Sequence, residues 1–172
     1  DNNYYTFGPK NAASTIYSCG SDATTTTAQD LFAISFNATT GIVNTTPAMP
    51  ANKHANPSAK AGSCSPITEF YDGSTDRIFL GNGNPGATTG SNVVQMWNVT
   101  TQLTSATDTP TASATGYLGG TSGFTIDNNA SGTAQAESIY FSTLTADANN
   151  TTGTTCGARQ FCAVKLTQVL LQ

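Results

Sequence analysis

The sequence predicts an all-β chain built from about three four-stranded antiparallel meanders. Three observations carry that prediction. No window keeps apolar residues at i, i+3, i+4 and i+7 for three turns, because Thr, Gly, Asn and Pro interrupt every candidate helix. Short runs of β-branched and aromatic residues recur instead, each bounded by turn formers. The runs also repeat: Ile16-Tyr17-Ser18, Ile78-Phe79-Leu80 and Ile139-Tyr140-Phe141 set their isoleucines sixty-two and then sixty-one positions apart.

Each unit opens on a short strand candidate: Tyr4-Tyr5-Thr6-Phe7, Pro66-Ile67-Thr68-Glu69-Phe70, and Gly123-Phe124-Thr125-Ile126. The isoleucine run comes next, followed by a loop rich in Gly, Thr and Asn. A second apolar run then returns: Leu31 to Phe36, Val93 to Trp97, and Phe161 to Leu166. Weaker outer strands follow the first two, at Ile42-Val43-Asn44 and Gln102-Leu103-Thr104, and the last unit lacks a clear fourth strand. The repeats run approximately over 1–50, 51–112 and 113–172, within one domain.

A repeated four-stranded meander of this length is the pattern of propeller blades, whose two apolar faces are buried by stacking. The expected architecture is therefore a β-propeller-like arc, with a β-sandwich as the alternative. Closed propellers have about 4–8 blades, so three leave sheet faces and edges open. Either blades upstream of Asp1 or another chain completes the packing, and the second case leads to a ring or a filament.

Several stretches resemble the C-terminal repeats of secreted bacterial (acidobacterial-type) propeller-like proteins. They are Cys64 to Tyr71, Asp76 to Leu80, Gly119 to Asn128, Ser138 to Leu144, and Cys162 to Gln168. The likeness covers roughly residues 60–170, and it implies a repeated β fold outside the cytoplasm. It brings no catalytic residues with it. Such proteins are longer, so the chain corresponds to a C-terminal part or to a short relative.

Composition narrows the function classes. Only 9% of the 172 residues are charged, the net charge is −4, and six Lys and Arg are spread from Lys10 to Lys165. Nucleic-acid binding needs a basic footprint that this pattern does not supply. No apolar run approaches the roughly 18–20 residues of a membrane span. About thirty threonines dominate a neutral, hydroxyl-rich surface. The four cysteines, Cys19, Cys64, Cys156 and Cys162, contain no C-x-x-C pair and fit two disulfides made in an oxidising compartment. Of the three connectivities, Cys19–Cys64 ties successive repeats and Cys156–Cys162 staples a loop. Both features point to a secreted, extracellular protein.

Motifs for chemistry are weak. Gly81-Asn82-Gly83-Asn84-Pro85-Gly86 has the letters of a dinucleotide loop, but a strand-like run follows it, so it reads as a loop between strands. Asp72-Gly73-Ser74-Thr75-Asp76 starts like a calcium loop, yet its sixth position is Arg77 and its twelfth Gly83, so a turn is expected. The single histidine, His54, lies in a loop-like stretch, and no G-x-S-x-G occurs. Glu69 and Glu137 are expected to face solvent rather than form a carboxylate pair. No enzyme, cofactor or metal is expected. Six N-x-[ST] sequons, at Asn37, Asn44, Asn98, Asn129, Asn149 and Asn150, are candidate glycosylation sites, Asn37 and Asn98 foremost because they follow strands. Trp97 and the Tyr4-Tyr5 pair are candidate carbohydrate-stacking residues, although Trp97, aligned with Phe36 and Leu166, fits a core position better. The two function classes that remain are a non-enzymatic extracellular structural or binding protein, such as a self-assembling filament or surface-layer subunit, and a C-terminal propeller fragment of a secreted enzyme or carbohydrate-binding protein.

Overall fold

The computed structural model describes residues 1–20, 29–44, 53–54, 63–83, 93–103, 108–115, 120–128, 137–144 and 161–167. One short helix, α1 (Asn2–Phe7), is followed by eleven strands: β1 (Thr15–Gly20), β2 (Asp30–Ser35), β3 (Lys53–His54), β4 (Ser63–Cys64), β5 (Thr68–Tyr71), β6 (Asp76–Gly83), β7 (Val93–Asn98), β8 (Ala112–Thr115), β9 (Thr125–Asn128), β10 (Glu137–Ser142) and β11 (Ala163–Thr167). They form three antiparallel sheets, β1-β2-β3, then β6 with β4, β5, β7 and β8, then β9-β10-β11. The all-β expectation holds.

The registers reproduce the sequence period. Ile16 pairs with Ile34, Ile78 with Trp97, and Ile139 with Leu166. Trp97 therefore matches Ile34 in the first sheet rather than Phe36, a shift of two residues that keeps the side chain on the same face. In the central sheet, β4 pairs with Asn82 and Gly83, and β5 pairs with Asp76 to Phe79. Both lie on the edge of β6 opposite β7, so they make one interrupted strand, and β4/β5-β6-β7-β8 is a complete four-stranded meander.

Five local expectations are corrected. Tyr4 to Phe7 is helix, not strand. The Asp1 carboxylate caps it by accepting from the Tyr4 N–H at 2.9 Å, and Gly8 ends it with a φ of 72°. Gly81, Asn82 and Gly83 extend β6 instead of forming a loop. The outer strand of the second unit is β8, which pairs with β7; Gln102 and Leu103 are not strand, and Thr104 lies outside the described residues. In the first unit Val43 makes only an isolated bridge to Phe36, while His54, read as loop, pairs with Leu31 in β3.

Two cores hold the three sheets together. Leu31 and Ala33 of the first sheet pack on Ile78, Leu80, Trp97 and Val99 of the second, with Tyr17, Cys19 and Ile67 against them. On the other side Phe79, Val94 and Met96 meet Ile139, Phe141 and Phe124 of the third. Strand β6 is consequently buried at all eight positions. Two cores rather than one distinguish this from a two-sheet sandwich.

A single contact recurs at both junctions. Cys19, three residues past Ile16, is bonded to Cys64 at the rim of the next sheet. Gly81, three past Ile78, meets Thr121, which stands at the equivalent rim. The rim itself repeats: Ser65 and Ser122 each exchange a backbone bond with a strand residue, Gly81 and Ser142, and their hydroxyls accept from those same residues' N–H groups. A Cβ at Gly81 would stand 1.9 Å from Thr121 Oγ1. Gly81→Ala should therefore lower stability by about 1–3 kcal/mol, the usual cost of overpacking. Thr121→Ala in the same chain should recover part of it. Urea midpoints of the three proteins check this, and an unshifted midpoint for Gly81→Ala would refute the close approach.

Candidate functional site

Two places gather functional groups. The first lies where α1 meets the first and second sheets. Asp76 is 2% exposed, and its Oδ2 accepts from the Asn2 N–H at 2.7 Å. Asp1 Oδ1 accepts from Tyr4 N and Thr15 N, and the Asp1 α-amino group lies 3.4 Å from Glu69 Oε2. Glu69 is exposed, as expected. Burial pushes the Asp76 carboxyl above its ordinary range; the Asn2 N–H opposes this and the Glu69 charge adds to it. Tyr17 is pushed up to about 12, first by burial, against the N–H that Leu103 donates to its oxygen at 3.4 Å, and then by the nearby Asp76 and Glu69 charges. These carboxylates hold backbone N–H groups, which fastens the helix to the sheets. Among the described residues no group of three or more His, Cys, Asp or Glu is placed to hold a metal ion.

Beside this junction, Asp72 to Thr75 is a turn, as its Asp-Gly sequence predicts. Asp72 Oδ1 accepts from the N–H groups of Ser74 and Thr75, and Gly73 takes a φ of 97°. Arg77 pairs with the other oxygen. The Arg77 guanidinium first, and then those N–H groups, hold the Asp72 carboxyl well below the usual carboxylate range.

The second place is the pair of outer faces that meet no further sheet among the described residues. Side chains paired across a ladder share a face, so Ile16, Ser18, Phe32 and Ile34 point away from the core on the first sheet, with Phe32 buried, and Thr125, Tyr140 and Lys165 do so on the third. Ile16 is 41% exposed and Tyr140 36%. Lys165 Nζ sits 5.6 Å from the Tyr140 ring centre, a cation–π distance. A groove of about 550 Å³ runs across this third face past Gly123, Ser142 and Ala163.

The remaining sequence candidates are distributed over the molecule. Cys19 and Cys64 form the expected bridge between sheets. Cys162 is buried and disulfide-bonded, while Cys156 lies outside the described residues. Trp97 is fully buried, bonded to Gln95 Oε1 at 3.2 Å, so it offers no stacking surface. Tyr4 stacks on Phe36, and Tyr5 is 90% exposed. Asn37 and Asn98 are exposed, and their Oδ1 atoms accept from Thr39 and Thr40, and from Thr100. Asn44 is half-buried with its Nδ2 donating to Ser35 Oγ. Asn129, Asn149 and Asn150 lie outside the described residues. Open sheet faces at the ends of the arc are what three repeats lead one to expect, but no motif marks which residues line them. Their signal is the alternation around the repeated isoleucine.

Fold and site define an all-β protein of antiparallel sheets tied by a disulfide, with two unlike faces at its ends. No family model, curated protein or solved structure matches the chain.

Peptide mapping without reductant should recover Cys19–Cys64 and Cys156–Cys162. Closing 45 residues, the first bridge stabilises by about 4 kcal/mol on the chain-entropy estimate. Any Cys64 peptide carrying another partner would refute the inter-sheet bridge. A second expectation concerns pH. Tyr17 titrates higher folded than unfolded, so its contribution is complete below pH 10 and is lost as pH rises through about 12. Asp72 acts oppositely, its contribution fading as pH falls below the ordinary carboxylate range. Tyr17→Phe should flatten the alkaline loss of thermal stability, and an unchanged slope between pH 10 and 12 would exclude Tyr17 as its source.

Proposed function

We propose that this is a non-enzymatic extracellular structural protein whose three sheets form a propeller-like arc that associates with further copies. The observation that supports it best is the asymmetry of the stack: neighbouring sheets meet face to face, and among the described residues the outer faces of the first and third sheets meet no further sheet. The arc reading rests on the recurrence of one junction geometry, Cys19 with Cys64 and Gly81 with Thr121. Secretion is supported by the inter-sheet disulfide and by a surface in which hydroxyl and amide groups replace charges. No described helix is long and apolar enough to cross a membrane. Low net charge favours dense packing, since little like-charge repulsion opposes contact between copies. Asn37 and Asn98 are the sequons best placed for N-linked sugar, being exposed, Asn37 just past β2 and Asn98 at the last position of β7.

Sedimentation velocity over a range of micromolar concentrations tests the association. Growth of the sedimentation coefficient with concentration is expected. A sharp boundary at 17.7 kDa with no concentration dependence would overturn the reading.

A further inference from the structure

The two end faces are not equivalent, and the difference specifies how copies meet. Around each repeated isoleucine the strand alternates, so every sheet has an isoleucine face (Ile16, Ile78, Ile139) and an opposite face one residue on (Tyr17, Phe79, Tyr140). Within the chain these faces always meet in the same sense. The Tyr17 face of the first sheet packs on the Ile78 face of the second, and the Phe79 face of the second packs on the Ile139 face of the third. What remains is one face of each kind, the Ile16 face at one end and the Tyr140 face at the other.

We propose that a second copy of this chain docks its Ile16 face onto the Tyr140 face of the first, extending the packing order already used twice inside the molecule. The proposal rests on the self-association reading above and gives it a direction. Such a contact is heterologous, joining two different patches, so it propagates or closes into a ring rather than stopping at a symmetric dimer. The surface chemistry of both patches fits. The receiving face carries Tyr140, Thr125, Lys165 and Ala163, a tyrosine among polar neighbours, which suits an interface that also lives in water. The docking face offers Ile16 and Ser18, exposed along β1, with Ile34 half-buried beside them; Phe32 in β2 and Phe36 at its end are buried, Phe36 under Tyr4. The groove at Gly123, Ser142 and Ala163 lies where the internal pattern calls for an incoming rim: Ser142 matches Gly81 and Cys19, the residues that receive Thr121 and Cys64.

The test uses two single variants of the full chain, Ile16→Asp and Tyr140→Asp, with circular dichroism confirming the fold of each. Should either fail to fold, Ser18→Asp or Lys165→Glu, exposed on the same two faces, replaces it. Each variant alone should associate at least tenfold more weakly than the unaltered protein. An equimolar mixture should regain a complex of two copies, twice 17.7 kDa, because one variant keeps an intact Tyr140 face and the other an intact Ile16 face. Association of the unaltered protein that neither variant weakens would overturn the assignment of faces and leave self-association standing. So would weakened variants whose mixture stays monomeric, since that marks a symmetric contact. An unaltered protein that is monomeric throughout would remove both readings and assign the faces to a different occupant.

Discussion

The burial of β6 on both faces is the constraint on which the rest of the molecule depends. A strand covered twice must find apolar partners in two directions, and Ile78 with Leu80 on one side and Phe79 on the other supply them. That requirement places one sheet on each flank of the central one. It also demands that the flanking sheets come close, and residue size at the rims decides how close. Gly81 admits Thr121 at a distance that any side chain would block. At the other junction the same place is covalent, through Cys19 and Cys64. One junction is held by the absence of a side chain, the other by a bond between two.

Polar groups follow the apolar frame. Gln95 and Trp97 share a face of β7 and are both buried, and the indole N–H donates to the amide oxygen. The Asp76 carboxylate is withdrawn from water yet holds the Asn2 N–H, so the helix is anchored by a group that would be costly to bury unpartnered. The hydroxyls that dominate the composition take part as well. Ser65, Ser122 and Thr68 bond backbone groups at the seams between strands and sheets, where neither ladder nor core reaches. A protein with few charges can do this because serine and threonine each donate and accept.

The same frame explains why the ends of the stack differ. The internal faces are mainly apolar, with buried Gln95 and Asn82 among them, whereas the Tyr140 face mixes an aromatic ring with threonine and lysine. A face of that kind can stand in water and still bind. The Ile16 face is more apolar, and its open part is the β1 half: Ile16 and Ser18 are exposed, while Phe32 and Phe36 are buried, Phe36 under Tyr4.

Much of the fold is legible in residues 1–172 read as a string. The three isoleucine runs, their return strands and the Cys19–Cys64 bridge follow from period-two alternation and from cysteine spacing, both of which act over short distances or survive as a repeat. Asp72-Gly73 reads as a turn because its hydrogen bonds are local. Tyr4 to Phe7 is the instructive failure. Its aromatic residues favour a strand, yet an aspartate cap and a glycine at positive φ close it as a helix. Gly81 to Gly83 go the other way: they look like a loop but lie inside β6, where Gly81 is required because Thr121, forty residues on, presses against it. The main strand runs were therefore legible locally, whereas these two segments were not. Which strand pairs at each edge, which face turns inward, and where the stack is left open were decided only in three dimensions, because those outcomes depend on partners that no local window contains.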